Sequence, residues 1–398
     1  MMEGISHRWR LLSGQENWKN LLDPLDIDVR RYIIHYGEMV QATYDTFNSE
    51  KLSRYAGSSR YARRNLLARV GLEKGNPLKY EIVKYIYATS SISVPDAFIM
   101  KPLASEAWCT ESNWMGYVGV STDEGKVALG RRDILIAWRG TVQPIEWVKD
   151  FDFPLVPATK ILGKISGVAN VHSGVLSIYT STDKQSKYNK TSAQDQVLSE
   201  VRRQVDRFKN EEMSITVAGH SLGAALSTLC AADIVANGYN RPSEQPNNPC
   251  LVTAFKFGSP KVGDSNFKEI LHSMNKLHIL NVRNAADLVP LYPPVGYTKI
   301  GIELLVDSRT SPFLKYPGDV VSWHILEPGY LHSVAGTKGS EGGFHLEVNR
   351  DISLVNKRSD ALKDQYSVPT FWWCQQNKGM VQQENGHWEL HDHEKDDN

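Results

Sequence analysis

The sequence predicts an α/β fold built on a mostly parallel, doubly wound sheet. Short and nearly unbroken apolar runs occupy residues 133–138, 214–218 and 251–257, and a further candidate strand covers 277–282. Such runs are typical of strands that are covered on both faces, as in parallel sheets. Between the first two runs, residues 193–209 carry apolar side chains at helical spacing. Strands that alternate with helices in this way favour a doubly wound architecture.

Composition and charge are those of an ordinary globular protein. The chain has 398 residues, of which 41% are hydrophobic and 23% are charged. Lys and Arg number 45, as do Asp and Glu, so no bulk field would attract nucleic acid or an anionic membrane. We therefore expect no nucleic-acid partner, and any contact with lipid must come from local apolar surface.

A single domain over residues 1–398 is the expected organisation. Within it, the apolar spacing predicts a helical N-terminal part at 1–100, in which 48–80 form a surface excursion. The alternating strands and helices place the catalytic core at 130–350. The polar end of the chain, 385–398, is expected to be frayed.

Compartment and membrane topology are predicted from absent signals. The four cysteines show no CxxC spacing, and charges and Gly interrupt the N-terminus where a signal peptide needs apolar residues. The Asn-Lys-Thr at Asn189 fits a glycosylation site, but nothing else points to secretion, so a cytoplasmic protein is expected. The longest apolar stretch, 215–236, contains Gly219, Ser221 and Asp233, which favours a strand that feeds a buried helix over a membrane span.

The strongest motif is Gly219-His220-Ser221-Leu222-Gly223. It matches the G-x-S-x-G pattern, in which Ser sits on a sharp turn from strand to helix, as in the α/β-hydrolase fold. Side chains at Gly219 and Gly223 would collide where strand and helix cross. The sequence context agrees, because a β-type run precedes the motif and a strong helix former follows it. Ser221 is therefore the predicted nucleophile, and the backbone N–H of Leu222 is a predicted oxyanion donor.

A serine nucleophile needs a base, and the base needs a carboxylate that fixes its tautomer. The carboxylate is expected in a turn after a strand, which points to Asp287, between the strand at 277–282 and Pro290. On the residues alone, His324 and His332 are equal candidates for the base. His220 precedes the nucleophile directly and is expected to pack or hydrogen-bond beneath the turn.

At this point the chain resembles a known family. Residues 218–225, with Ala137-Trp-Arg-Gly-Thr141 upstream and 284–290 downstream, resemble the class 3 lipases. More closely, the chain is similar to the plant phospholipases A1 of the class II, non-plastid type. That closer likeness rests on segments spread over nearly the whole chain, at 18–25, 36–38, 41–44, 330–336 and 377–381.

The resemblance implies roles for particular residues. The family's nucleophile and carboxylate map onto Ser221 and Asp287, and its base maps onto His324, which opens a His-x-Leu-Glu segment. The link through Pro328-Gly329 is longer than in the family pattern, so His332 stays the second candidate. The family also places an oxyanion donor after Arg-Gly, which implies Thr141. Residues 142–153 fall where these lipases carry a lid, although a buried helix face would explain the same apolar pattern equally well.

The resemblance further implies a substrate and a reaction. It implies hydrolysis of the sn-1 acyl ester of phospholipids through an acyl-enzyme, with transient contact to a lipid interface and without metal or cofactor. The alternatives are a galactolipid or monoacylglycerol lipase, a small-ester esterase or acyltransferase, and a non-catalytic binding protein with the same fold.

The acidic and histidine residues at 391–394 are a weak metal candidate, because neighbouring residues in a mobile tail do not fix a coordination geometry.

Overall fold

The computed structural model describes residues 3–104, 107, 109–141, 153–315, 318–373 and 379–396. Among these residues, a seven-stranded sheet has the order β1-β2-β3-β6-β7-β8-β9, and two further strand pairs are small. The strands are β1 Tyr80–Ala88, β2 Asn113–Ser121, β3 Arg132–Trp138, β4 Leu155–Pro157, β5 Asn170–His172, β6 Met213–His220, β7 Leu251–Phe257, β8 Leu277–Asn284, β9 Ile302–Val306, β10 Met380–Gln382 and β11 Trp388–Leu390.

The main sheet is mostly parallel, as the sequence predicts. Each neighbouring pair from β3 through β6, β7 and β8 to β9 runs parallel, whereas β1 and β2 add antiparallel strands at one edge. The four predicted strands are β3, β6, β7 and β8. The α/β-hydrolase fold class is therefore confirmed.

Helices cover both faces of this sheet. They are α1 Glu3–Leu12, α2 Ile27–Thr46, α3 Leu66–Arg69, α4 Asp123–Leu129, α5 Thr159–Leu162, α6 Ser173–Thr180, α7 Ala193–Arg207, α8 Leu222–Ala236, α9 Ser265–Ser273, α10 Val320–His324 and α11 His332–Gly336. Side chains alternate between the two faces along a strand. Ile134 and Ile136 of β3 accordingly pack in the core with α7 and α8, whereas Leu135 and Ala137 pack in the other core with α2.

Two expectations about the first half of the chain need correction. Residues 1–100 are not helical throughout, because Tyr80–Ala88 form an edge strand of the main sheet. Glu81 and Lys84 interrupt its apolar pattern, since one side of an edge strand meets solvent. The sheet also includes β2, so the core begins well before residue 130.

The C-terminal tail is also not frayed over its described residues. The buried carboxylate of Asp392 accepts a hydrogen bond from Asn48 Nδ2 at 2.8 Å, and Glu394 pairs with Arg69 at 2.7 Å. His393 lies 2.7 Å from the backbone oxygen of Ser59 and stacks on a tyrosine ring. Polar residues thus fix this tail by pairing with partners that are distant in the sequence. In the described parts of the chain, no cluster of His, Cys, Asp or Glu could hold a metal ion.

Two sequence features, the long apolar stretch and the candidate glycosylation site, can be compared with the structure. The apolar stretch 215–236 is divided between β6 and α8, and no described helix has the length and apolar character to cross a bilayer. The side chain of Asn189 is buried and donates to the backbone oxygen of Tyr87 at 2.8 Å, so it offers no surface for a glycan.

Candidate active site

Ser221 occupies the sharp turn between β6 and α8. Its backbone has φ 59° and ψ −126°, a conformation that L-residues rarely adopt. A Cβ atom on Gly219 would overlap the backbone of Gly223, so β6 and the start of α8 approach closely only because residue 219 is glycine. A Cβ atom on Gly223 would overlap the carbonyl oxygen of Trp138, so the second glycine lets α8 begin close to the end of β3.

The nucleophile candidate is buried and its backbone is fixed. Ser221 N–H donates to the carbonyl oxygen of Phe257 on β7 at 2.9 Å. Its Oγ is inaccessible to solvent and makes no hydrogen bond within the described residues. Leu222 is the first residue of α8, where a backbone N–H has no intrahelical acceptor. Its amide and the positive end of the helix dipole thus lie beside the serine.

Asp287 and His324 form the second part of the site. Asp287 follows β8 and His324 ends α10, and Asp287 Oδ2 lies 2.6 Å from His324 Nδ1. The other carboxylate oxygen accepts the N–H of Val289 at 2.9 Å. Because the carboxylate accepts at Nδ1, this nitrogen carries the proton, and Nε2 is the nitrogen suited to accept a proton from a nucleophile.

Tyr330 is a site residue that the sequence reasoning did not single out for a role. Its hydroxyl donates to Asp287 Oδ2, the same oxygen that binds His324. Burial and the neighbouring Asp287 raise the pKa of Tyr330 well above its usual value, so the hydroxyl remains a donor. The segment Tyr330-Leu-His was part of the family likeness, which was the available signal for its importance.

The other histidine candidate lies elsewhere. His332 is at the start of α11, where its Nε2 lies 2.7 Å from Ser311 Oγ and its ring stacks on Phe344 at 4.9 Å. Burial lowers the pKa of His332 to about 3. The structure therefore brings His324, and not His332, to Asp287.

His220 hydrogen-bonds beneath the turn, as expected. Its Nδ1 lies 2.7 Å from the hydroxyl of Tyr44, and its Nε2 lies 2.7 Å from the backbone oxygen of His324. Burial, with the nearby His324, lowers the pKa of His220 well below its usual value. Tyr44, at the end of α2, is a second residue near the site that the motif search missed.

The turn Arg139-Gly140-Thr141 follows β3, and its Gly140 lies against Ser221. A Cβ atom on Gly140 would lie 3.1 Å from Ser221 Cβ. Arg139 is buried and holds the turn: its Nη1 donates to Gly140 O at 2.7 Å and its Nε to Trp114 O at 3.1 Å. Burial lowers the pKa of Arg139 to about 10. Gly140, the residue before Thr141, thus packs against Ser221, and the role of Thr141 as an oxyanion donor stays a prediction.

The expected lid at 142–153 lies outside the described residues except for Phe153. The ring of Phe153 is 5.2 Å from that of His172, and its backbone oxygen accepts from the Tyr297 hydroxyl at 2.6 Å. These contacts do not distinguish a lid from a buried helix face, so both interpretations stand.

A strained serine between strand and helix, with an Asp–His pair beside it, defines an α/β-hydrolase site. The family model for lipase (class 3) matches residues 135–297, a span that holds Ser221 and Asp287 but ends before His324. The similarity to individual relatives extends much further along the chain.

Two relatives illustrate the extent of that similarity. The chain is 54% identical over 397 residues to phospholipase A1-IIgamma of Arabidopsis thaliana, covering 99% of this chain and 94% of that protein. It is 54% identical over 405 residues to phospholipase A1-II 7 of Oryza sativa subsp. indica, covering 99% and 98%. The chain therefore belongs to the plant phospholipase A1-II family of class 3 lipases, and it is a carboxylic ester hydrolase.

Among solved structures, the nonglycosylated LIP2 lipase of Yarrowia lipolytica aligns with a TM-score of 0.44 and 17% sequence identity. The alignment covers 72% of this chain and 82% of that one.

Proposed function

We propose that this protein hydrolyses the sn-1 acyl ester of phospholipids, with Ser221 as nucleophile, His324 as general base and Asp287 as the residue that orients the base. The observation that carries the proposal is the 2.6 Å contact between His324 Nδ1 and Asp287 Oδ2. A hydrogen bond from His220 Nε2 to the backbone oxygen of His324 ties this pair to the residue before Ser221. The relatives named above are phospholipases A1 by name, and their similarity spans nearly the whole chain. This similarity supports the choice of substrate.

The reaction proceeds in two balanced steps. His324 Nε2 takes the proton of Ser221 as Oγ attacks the ester carbonyl, and the backbone N–H groups of Leu222 and Thr141 hold the resulting oxyanion. The tetrahedral intermediate collapses, and His324 returns the proton to the leaving lysophospholipid oxygen. Water then attacks the acyl-serine with the same base, which releases a fatty acid and restores the enzyme. Each step uses side chains and backbone amides alone, so it requires no metal or cofactor.

Contact with a lipid surface is part of the proposal. The residues after Asp287 include exposed apolar side chains: Leu288 and Leu291 are each 43% exposed and Val295 is 83% exposed. No charge occurs from residue 288 to residue 298. An exposed apolar patch beside the catalytic carboxylate supports docking of this edge on aggregated lipid.

The test is regiochemical. Phosphatidylcholine with different acyl chains at sn-1 and sn-2 should release the sn-1 fatty acid, and Ser221→Ala should lower the rate by several orders of magnitude, roughly as removal of a triad member does. A fluorophosphonate probe should label the wild type and not the variant. Release from sn-2 would refute the regiochemistry. A preference for galactolipid, monoacylglycerol or soluble ester, or for acyl transfer to an alcohol, would refute phospholipid hydrolysis as the main activity. Labelling that is independent of Ser221 would favour a binding protein.

We also propose a cytoplasmic location. Cys109, Cys230 and Cys250 are free thiols, which supports a reducing compartment. A fluorescent fusion combined with fractionation would test this, and recovery with a secreted or organellar fraction would refute it.

A further inference from the structure

The end of α2 meets the active site through one side chain. We propose that Tyr44, acting through His220, is a positioning residue that ties the turn 139–141 to the segment carrying His324. This inference rests on the proposed function, because it assigns both elements to the reaction. Tyr44 is partly buried, and its hydroxyl is engaged by His220, so we assign it a positioning role and not contact with the reacting atoms.

One packing contact and two hydrogen bonds connect the two elements. The Tyr44 hydroxyl is packed directly against Gly140, where an added Cβ atom would lie 2.1 Å from its oxygen. The same hydroxyl lies 2.7 Å from His220 Nδ1, and His220 Nε2 lies 2.7 Å from the carbonyl oxygen of His324. A carbonyl only accepts, so Nε2 must carry the hydrogen.

The protonation pattern follows from that acceptor. Burial keeps His220 neutral, with a pKa well below its usual value, so a hydrogen on Nε2 leaves Nδ1 as an acceptor. Tyr44 then donates its only hydrogen to Nδ1. The donor and the acceptor of both hydrogen bonds are therefore fixed.

The surroundings leave Tyr44 little freedom. A Cβ atom on Gly140 would overlap the Tyr44 hydroxyl, so the turn is packed directly against it. Arg358 Nη1 donates to the backbone oxygen of Tyr44 at 3.0 Å. Arg30 lies in α2, the helix that carries Tyr44, and its Nη2 donates at 2.9 Å to the carbonyl oxygen of Thr337, which follows the segment that carries His324. Helix α2 therefore holds both sides of the site.

The function of this connection is preorganisation. Oxyanion donors and the general base must be held near their reacting geometry, because small misplacements are costly in rate. Removing the Tyr44 hydroxyl would remove the packing contact at Gly140 and the hydrogen bond to His220 Nδ1 together. The turn with Thr141 and the backbone of His324 would then lose their common support.

The first test is Tyr44→Phe, with Tyr117→Phe as a matched control. Tyr117 is buried on β2, and its hydroxyl donates at 2.8 Å to the carbonyl oxygen of Met39 in α2, the helix that carries Tyr44. For Tyr44→Phe we expect a loss of about 10-fold in kcat with KM within about two-fold, and the same loss in the rate of fluorophosphonate labelling at Ser221. The control should match it in thermal stability and keep wild-type kcat. Wild-type kcat in Tyr44→Phe, or an equal loss in Tyr117→Phe, would overturn the inference.

The second test divides the connection at His220. His220→Asn keeps a polar atom near the Nδ1 position, and His220→Gln keeps a donor near the Nε2 position. We expect Tyr44→Phe to add little to the defect of His220→Gln, because both remove the link between Tyr44 and residue 220. Additive losses would show independent effects and overturn the coupling. Labelling of the wild type with unchanged labelling of Tyr44→Phe would refute this inference alone, whereas a wild type that neither labels nor hydrolyses lipid would refute the proposed function.

Discussion

Tyr330 and His324 bind the same oxygen of one carboxylate. The phenolic hydroxyl and the imidazole Nδ1 both meet Asp287 Oδ2, while Oδ1 of that residue accepts the N–H of Val289. Two donors on one oxygen and a backbone amide on the other leave the carboxylate a single orientation. The direction of the His324 ring is set by that orientation.

Loss of the Tyr330 hydroxyl should therefore slow catalysis without unfolding the protein. For Tyr330→Phe we expect kcat to fall by roughly 10-fold. A hydrogen bond to a charged group is worth about 1.5–3 kcal/mol, and the hydrogen bond from Val289 N–H still orients the Asp287 carboxylate in the variant. Tyr179→Phe is the control, because Tyr179 also donates to a buried carboxylate, Asp233, at 3.1 Å. Steady-state kinetics of both variants decide the matter. Equal activity of Tyr330→Phe and wild type would contradict the role of Tyr330.

The two histidine candidates should separate cleanly by mutation. His324→Ala should lose activity about as severely as Ser221→Ala, because the serine then has no base. His332→Ala should retain most of its kcat, since His332 binds Ser311 and stacks on Phe344, and its cost should appear as a lower melting temperature. Activity and thermal unfolding of the two variants provide the measurement. The reverse pattern would assign the base to His332.

A charge in the apolar loop after Asp287 should affect aggregated substrate selectively. Val295→Asp should weaken binding to phosphatidylcholine vesicles and slow their hydrolysis several-fold, while hydrolysis of a soluble short-chain ester stays unchanged. Val127→Asp is the matched control: Val127 is 77% exposed on α4, which joins β2 to β3 at the amino ends of the parallel strands. Equal effects of the two substitutions on vesicle binding would refute docking through the loop.

The buried Lys256 should make stability depend on pH. Burial lowers the pKa of Lys256 to about 7, and its Nζ donates only to the carbonyl oxygen of Ile300 among the described partners. The unfolded chain, with a lysine pKa of 10.5, binds more protons between pH 7 and 10.5, so this group makes the free energy of unfolding rise with pH across that window. Lys256→Met should remove that rise and stabilise the fold at pH 7 by an amount on the order of a few kcal/mol.

Denaturant unfolding of wild type and Lys256→Met at pH 7 and pH 10 gives the comparison. Lys184→Met, at an exposed lysine, serves as the reference and should show no such difference. A stabilising effect of Lys256→Met that is the same at both pH values would show that packing, and not the charge, is responsible.

The sequence predicted those parts of the fold that depend on local patterns. The strands β3, β6 and β7 contain nearly unbroken apolar runs, and β8 was recognised as a further candidate strand. The Gly-x-Ser-x-Gly motif indicates a close approach of strand and helix at Gly219. The edge strand β1 was missed because its Glu81 and Lys84 face solvent and break the pattern. The tail was misjudged because polar residues such as Asp392 become ordered through partners far away in the chain.

Site residues divide along the same line. Ser221 and Asp287 stand in recognisable local contexts, a turn before a helix and a turn after a strand. His324 could not be separated from His332 by local pattern, because the difference lies in which side chain reaches Asp287 in three dimensions. Tyr330 is buried and Tyr44 is partly buried, like many other tyrosines of the chain, and only the contacts of their hydroxyl oxygens distinguish them.

The contacts that connect α2 to the segment that carries His324 have a consequence for the synthesis of the protein. Ser221 leaves the ribosome roughly a hundred residues before His324, judging from their positions in the chain. The Arg30 contact with Thr337 joins the first elements made to one made late, and the His220 contact with the backbone oxygen of His324 joins the turn of Ser221 to the late segment. The nascent chain thus contains Ser221 without its proposed base until His324 has been synthesised. We expect it to hydrolyse esters only after its N-terminal and C-terminal parts have packed together.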